Sequence, residues 1–502
     1  MMNRLTPSLR ALHVASPTPL QGAIPADRQS RIRGISRNGL ALAAALFVAG
    51  CSFIPTYERP AAPVPATFPN AAQAPAAGQA PASTIAWQNF FTDARLQKLI
   101  ETALANNRDL RVAVLNIEQA RAQFQIQRSA LFPAVGVTAS GSRSGPNPYQ
   151  AVDPSLGSVL SQYSVNLGVS AWELDFFGRV RSLKDAALAQ YLATDEARKA
   201  TQISLVSAVA SGWLTLLADD QLLEITRQTL ATRDESLKLT RLRFDNGVAS
   251  EIDSRLAESL AETARAAYAQ QQRQRMQDEN ALTLLLGAPV PPEATAGDER
   301  GLEAAAPMAD LPAGLPSDLL ADRPDIRAAE QQLIAANANI GAARAAFFPR
   351  ITLTSSIGTA STEFSGLFDK GTKAWSFAPQ ITLPIFDAGR NRAGLESARA
   401  GREIAVAQYE KTIQTAFREV ADALAGRATF GEQVRALRAQ SDAEAVRFKL
   451  ADLRYRNGIA SGLDLLDSQR SLFAAQQAAV ETRLLQLQNQ VVLYKTLGGG
   501  AG

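Results

Sequence analysis

The sequence is written twice, and that repetition constrains the fold more than any other feature in it. The stretch RSALFPAVGVTAS at residues 128–140 returns as RAAFFPRITLTSS at 344–356, and NRDLRVA at 107–113 returns as RPDIRAA at 323–329, each 216 positions on. Farther along, the spacing settles to 211, where Gly178-Arg179 matches Gly389-Arg390, Gly247 matches Gly458 and Leu286-Gly287 matches Leu497-Gly498. A period this long carries a whole supersecondary unit, so both copies must adopt one architecture. The copies span 87–290 and 312–498, joined by a Pro-, Ala- and Gly-rich linker at 291–311.

Each copy passes through the same periodicities: a helical segment ending at Phe-Pro, two strand-like runs, then a long helical run that starts at Gly-Arg, turns at Asn-Gly and returns. The strand runs alternate with a period of two. In QYSVNLGVSAWEL, Tyr163, Val165, Leu167, Val169 and Ala171 face one way, while Ser164, Asn166, Gly168 and Ser170 face the other. RITLTSSIG sets Ile351, Leu353 and Ile357 against Thr352, Thr354, Ser356 and Gly358; AWSFAPQITLPIF sets Trp375, Phe377, Pro379, Ile381 and Leu383 against Ser376, Ala378, Gln380 and Thr382. A half-buried soluble sheet gives similar alternation. Here, however, the second face is small and polar, no run carries a charge in its middle, and aromatic residues gather toward the ends. That is the pattern of a barrel with an apolar outside and a wet lumen. Four strands cannot close such a barrel, and an open edge in lipid leaves backbone groups without partners. Two copies of the chain would supply eight strands and three would supply twelve; only the larger number leaves a useful lumen.

The helical runs are too long for a compact domain. No proline occurs between Gly178 and Phe244, enough chain for about 100 Å of helix at ~1.5 Å per residue. Val209, Leu216, Leu223, Leu230, Leu237 and Phe244 recur every seven positions, a 3.5-residue period that supercoils with neighbours. One such hairpin is an ordinary coiled coil. Two per chain, in an oligomer whose strands close a ring, build a ring of helices. The two turns read RFDNGVASEIDSR at 243–255 and RYRNGIASGLDLL at 454–466, each with an acidic residue six positions after its glycine. Glycine there supplies the positive φ that ends one helix before the next begins. Asp253 and Asp464 then fall in the first turn of the returning helix, with Asp467 on the same face as Asp464. Carboxylates at that place complement the positive helix N-terminus.

The N-terminal 1–50 reads as a secretory signal: Arg31, Arg33 and Arg37 precede the apolar NGLALAAALFVAGC, which is too short to span a bilayer and ends in small residues before Cys51. Val48-Ala49-Gly50-Cys51 resembles the bacterial lipobox, which makes Cys51 the lipidation site. Seven prolines between Pro55 and Pro81 make 51–86 an extended tether. The single histidine, His13, lies in the removed part, and Cys51 is the only cysteine. The mature chain therefore lacks thiolate and imidazole metal sites and histidine-assisted nucleophiles. No catalytic constellation is present, no cofactor is called for, and a net charge of +3 gives no case for nucleic acid.

Taken in order, the lipobox, the opening WQNFFTDARLQKLIETALANNRDL, the duplicated Phe-Pro joints, LPIFDAGRNRAG and the paired RFDNGVAS and RYRNGIAS turns resemble the outer membrane factor family, the TolC/OprM-type exit ducts, in its lipoprotein branch found with RND efflux systems. The resemblance covers residues 51–498. It implies an α+β membrane protein: a homotrimer with a twelve-stranded outer-membrane barrel, four strands from each chain, continued by a long periplasmic helical barrel, with an equatorial mixed region that holds the linker. It also implies a lipid anchor in the outer membrane, a periplasmic adaptor (membrane fusion protein) docked at the tip turns Asn246, Gly247, Asn457 and Gly458, and an inner-membrane RND transporter as the source of substrate. The periplasmic gate falls at Asp464, Asp467, Asp253 and Tyr455. This sequence departs from the family where Ala460 replaces the arginine sometimes found two residues after the turn glycine, so the locking contacts of the gate are expected to differ. Two rival readings stay open: the exit duct of a type I protein-secretion system, and a lipid-tethered periplasmic coiled-coil spacer.

Overall fold

The computed structural model describes residues 52–69, 82–145, 159–295, 301–311 and 316–500. The expected signal and the lipidation position Cys51 lie outside the described residues. Helices α1 (Ala94–Asn106) and α2 (Arg108–Ser129) lead into strands β1 (Val135–Ser144) and β2 (Leu160–Glu173), then α3 (Arg179–Asp245) and α4 (Glu251–Leu286). The same order follows with α5 (Pro324–Ala345), β3 (Arg350–Ser361), β4 (Lys373–Thr382), α6 (Arg390–Arg456) and α7 (Gly462–Thr496). Both α3 and α6 run for 67 residues, about 100 Å each. Each begins at a left-handed glycine, Gly178 at φ 71° and Gly389 at φ 87°, a conformation that lets the chain swing from strand to helix without a Cβ clash. An aspartate just upstream collects the free helix N–H groups: Asp175 accepts from Val180 and Arg181, and Asp387 from Gly389 and Asn391.

The strands form one antiparallel sheet in the order β1-β2-β3-β4. Its register puts Val137, Leu167, Ile357 and Trp375 in one row, and Thr138, Asn166, Gly358 and Ala374 in the next. The apolar row is 70%, 48%, 51% and 74% exposed, so none of the described residues covers it, and water is the wrong solvent for such a face. Serine pairs bridge neighbouring strands on the polar face, Ser140 to Ser164 at 2.9 Å and Ser356 to Ser376 at 2.8 Å. One expectation is corrected. Val169 pairs with Ser355, but Trp172, not Ala171, pairs with Leu353. A bulge takes the extra residue out of the pleat: Ala171 sits at φ 49° and donates its N–H to Thr354 Oγ1 at 3.1 Å. The shift moves Trp172 to the apolar side and aims Glu173 at Arg179 and Arg350, 2.6 and 2.7 Å away, at the joint between sheet and helices. Strands β1 and β4 each keep one edge unpaired, and closure therefore takes further copies of the chain.

Below the sheet, α3 is the hub, packed against α1, α2, α4, α5 and α7. The core at that level gathers Phe90, Phe91, Ile100, Trp213, Leu216, Leu302 and Tyr494, all essentially dry. Tyr494 stacks on Phe90 at 4.1 Å and donates its hydroxyl to Ile85 O at 2.6 Å, so one side chain ties the end of the second copy to the start of the first. Of the seven-residue seam, Val209, Leu216 and Leu237 are buried, while Phe244 reaches solvent at the tip. Beside it runs a second stripe of the same period, made of Asp219, Thr226, Arg233 and Thr240, all buried. Residues 52–69 form neither helix nor strand, as a tether should, yet they lie along the helices as a strap. Phe53 stacks on Phe348 at 4.6 Å, Asn337 donates to Pro55 O, Arg59 grips Glu330 through two hydrogen bonds of 2.7 and 2.8 Å, and Phe68 stacks on Phe417 at 5.1 Å.

Candidate functional site: the hairpin tips

The far ends of α3–α4 and α6–α7 turn in the same way, because the same residues stand at matching places. Asn246 and Asn457 fold their amides back onto the carbonyls of Leu242 and Leu453, both at 2.7 Å. Gly247 and Gly458 follow at φ 71° and 74°, and the next N–H, of Val248 or Ile459, closes onto Arg243 O or Arg454 O at 2.8 and 2.9 Å. Ser250 and Ser461 then start α4 and α7 with capping boxes. Asp253 Oδ2 accepts from the Ser250 hydroxyl at 2.7 Å, and Asp464 Oδ2 accepts from Ser461 at 2.9 Å. The acidic residue six places after each glycine thus satisfies helix-start donors. One oxygen of each carboxylate is committed in this way, and Asp464 is the more exposed of the two.

Asp467 does not share that environment. Arg470, one turn on, holds it at 2.6 Å, and Arg447, reaching across from α6, holds it at 3.3 Å. The two acids on one face of α7 are therefore unlike: Asp464 has no cation at hand among the ion pairs of the described residues, and Asp467 has two. Tyr455 is buried, and the Arg243 guanidinium lies over its ring, 4.7 Å from the centroid, which links the tip of the first copy to that of the second. Arg456 next to it pairs with Asp452 at 2.8 Å and reaches Glu235 of α3 at 3.6 Å. These cations stand before the turn glycine, on the other side from Ala460. Higher up, Gln469 of α7 donates to Ser236 Oγ at 2.9 Å, and Arg233 lies 5.5 Å over the Phe473 ring, where burial lowers its pKa.

Sequence reasoning missed a cluster of apolar side chains at the tips. Val248, Ile252, Ile459 and Leu463 are all exposed there, two on each turn and at matching positions of the repeat. The signal was present in NGVASEI and NGIASGL. Exposed apolar knuckles on a polar coiled-coil end mark a surface that meets another protein. Among the described residues, no group of three or more His, Cys, Asp or Glu side chains could hold a metal ion.

Comparison with known proteins follows the same lines. The family described as outer membrane efflux protein matches residues 99–288 and 315–499. The antibiotic efflux pump outer membrane protein ArpC of Pseudomonas putida is 50% identical over 472 residues, covering 93% of this chain and 96% of its own length. The outer membrane protein OprJ of Pseudomonas aeruginosa is 47% identical over 466 residues, 92% of this chain and 95% of OprJ. Among solved structures, the open state of the MtrE outer membrane channel of Neisseria gonorrhoeae superposes with a TM-score of 0.80 at 43% identity, over 90% of this chain and 99% of MtrE.

Proposed function

Because this chain belongs to the outer membrane efflux protein family, we propose that its hairpin tips are both the gate and the docking end of the duct it forms. The protein is the outer-membrane exit duct of a tripartite efflux pump: strands of several copies close a barrel in the outer membrane, and their helices continue it as a tunnel into the periplasm. The observation that carries this reading is the row Val137, Leu167, Ile357 and Trp375, bare on one face of a sheet whose two edges are open. A lipid-tethered spacer has no use for such a face. Against the secretion-duct alternative stand relatives such as ArpC, whose name specifies an antibiotic efflux pump.

The gate reading rests on the acids at the tip. Three chains bring six carboxylates of Asp464 and Asp467 toward the axis, with Asp253 and Tyr455 in the neighbouring ring position. Asp464 supplies the exposed charge. Asp467, clamped by Arg447 and Arg470, fixes how α7 leans on α6. Crowded acids of one sign attract cations and hold back anions. The turns at Asn246, Gly247, Asn457 and Gly458, with their apolar knuckles, present the surface for a periplasmic adaptor. An inner-membrane RND transporter feeds the duct through that adaptor, and the cargo consists of small organic molecules selected upstream.

The test is conductance in planar bilayers. Replacing Asp464 and Asp467 together by Ala should leave trimers intact, since each helix start loses only about 0.3–1 kcal/mol of dipole stabilisation and part of a cap. The open probability should rise and cation selectivity should disappear. Asp253→Ala should do less. Wild-type conductance and selectivity in the double variant, with a change in Asp253→Ala, would place the gate on the other turn.

A further inference from the structure

The polar stripe on α3 holds a carboxyl group in a place that does not suit a carboxylate. Asp219 is 5% exposed, three residues after Leu216 on the face that packs into the core. Its Oδ1 accepts from Gln271 Nε2 of α4 at 3.0 Å. Its Oδ2 is buried with no donor aimed at it. The hydrogen-bonding neighbour of the Asp219 carboxyl group is another acid, Asp278 of α4, half-buried and itself held by Gln274 Nε2 at 2.8 Å. The obvious cation is already engaged: Arg275 is bound to Asp220 and to Glu279. Elsewhere around α3 at this level, Arg483 of α7 and Glu303 of the linker line a different pocket, beside Gln221, and Arg95 of α1 lies over Trp213 and pairs with Asp93. Two acids thus meet beside α3, one of them buried, with Arg275 and Arg95 already paired to other acids.

We propose that Asp219 and Asp278 share one proton, and that this proton clamps α4 to α3 near the equatorial level, making the attachment of the first hairpin responsive to pH. The balance is simple. With the proton present, the Asp219 carboxyl donates through Oδ2 to the Asp278 carboxylate, and the orphaned oxygen acquires a partner. Without it, two negative charges face each other, and α4 relieves their repulsion by moving away. Burial, with the Asp278 charge second, pushes Asp219 up to about 7, so the change falls within the ordinary range of outer-membrane environments. For an acid raised above its free value, the packed form holds a proton that the opened form gives up. The clamp is therefore full only below the ordinary aspartate range, weakens steadily as pH rises through mildly acidic values, and is lost once pH passes about 7. Opening α4 at this level frees the shaft of the hairpin whose far end carries Asp253.

Hydrogen–deuterium exchange of the purified, full-length trimer reads this directly. Peptides covering 271–282 of α4 should exchange about tenfold faster at pH 8 than at pH 6, after correction for the intrinsic base-catalysed rate. Peptides of α7 should show no such dependence. In Asp219→Asn the α4 dependence should vanish, because a neutral amide donates to Asp278 at every pH. Asp278→Asn should also flatten it, and serves if the first variant fails to assemble. Infrared spectra add a second readout: the carbonyl band of a protonated carboxylic acid should be present in the wild type at pH 6 and reduced in Asp219→Asn. Wild-type exchange that does not depend on pH overturns the proposal, as does a dependence or an acid band that survives both substitutions unchanged.

Discussion

An arginine placed at Leu167 should prevent the duct from assembling, while one placed next door at Asn166 should not. Leu167 lies mid-strand in β2, in register with Val137 on one side and Ile357 on the other, on the bare apolar face. Asn166 points the opposite way, beside Thr138 and over Gly358. If the apolar face meets lipid, a guanidinium near the midplane costs about 2–4 kcal/mol in each chain. Three chains carry it at once, so the barrel loses on the order of 6–12 kcal/mol, comparable with the whole stability of an ordinary domain. On the lumenal face the same side chain stays in water. Its cost is then limited to crowding above Gly358, where the absent side chain leaves room, and to mutual repulsion of three arginines screened by salt. Both variants would be expressed with their signal, fractionated into membrane and soluble pools, and run unheated on gels that preserve trimers. Leu167→Arg should lose the trimer band and be degraded or left in the periplasm; Asn166→Arg should yield trimers with lowered cation conductance. Equal yields for the two, or a worse outcome for Asn166→Arg, would refute the assignment of the two faces.

Two smaller effects follow from the same structure. Glu330→Gln leaves the strap bound through Tyr57 but removes the charge gripped by Arg59, whose side chain is half exposed, so the loss should be about 1 kcal/mol; limited proteolysis should then cut within 52–69 well before the helices, whereas the wild type resists. Gly458→Ala should cost about 1–2 kcal/mol from the left-handed backbone alone, because a Cβ there meets nothing within 4 Å; a small drop in tip stability by hydrogen exchange, with normal trimer yield, is the expected outcome.

The parts of the fold that repeat with a fixed period were legible in the sequence. Alternation in β2, β3 and β4 gave both faces of the sheet, and the heptads of α3 gave Val209, Leu216 and Leu237, while the buried Leu205, Leu214, Leu217 and Leu222 lie off that period. The bulge at Ala171 was not legible, since an inserted residue leaves composition and apparent alternation intact and shows itself only in pairing with Leu353. The stripe of Asp219, Thr226, Arg233 and Thr240 has the same period as the leucine seam but mixed chemistry, and a search for apolar residues passes over it. At the tips, the acids read as complements of a helix N-terminus, which passes over the Ser-x-x-Asp capping boxes, while the Arg447 clamp on Asp467 spans 20 residues and both arms of a hairpin. The strap looked like a tether because prolines forbid helix and strand; they do not forbid docking through Phe53, Arg59 and Phe68.

How many chains close the ring can be counted directly. Cysteines introduced along the open edges of β1 and β4, one on each in the same chain, should form disulfides only between copies, since β2 and β3 separate those strands within a chain. In the outer membrane, oxidation should give a ladder of one, two and three cross-linked chains that stops at three, with the pairing strongest for one register of the two edges. A ladder that stops at two, or protein that remains single at every register tried, would contradict a twelve-stranded barrel built from three copies of this chain.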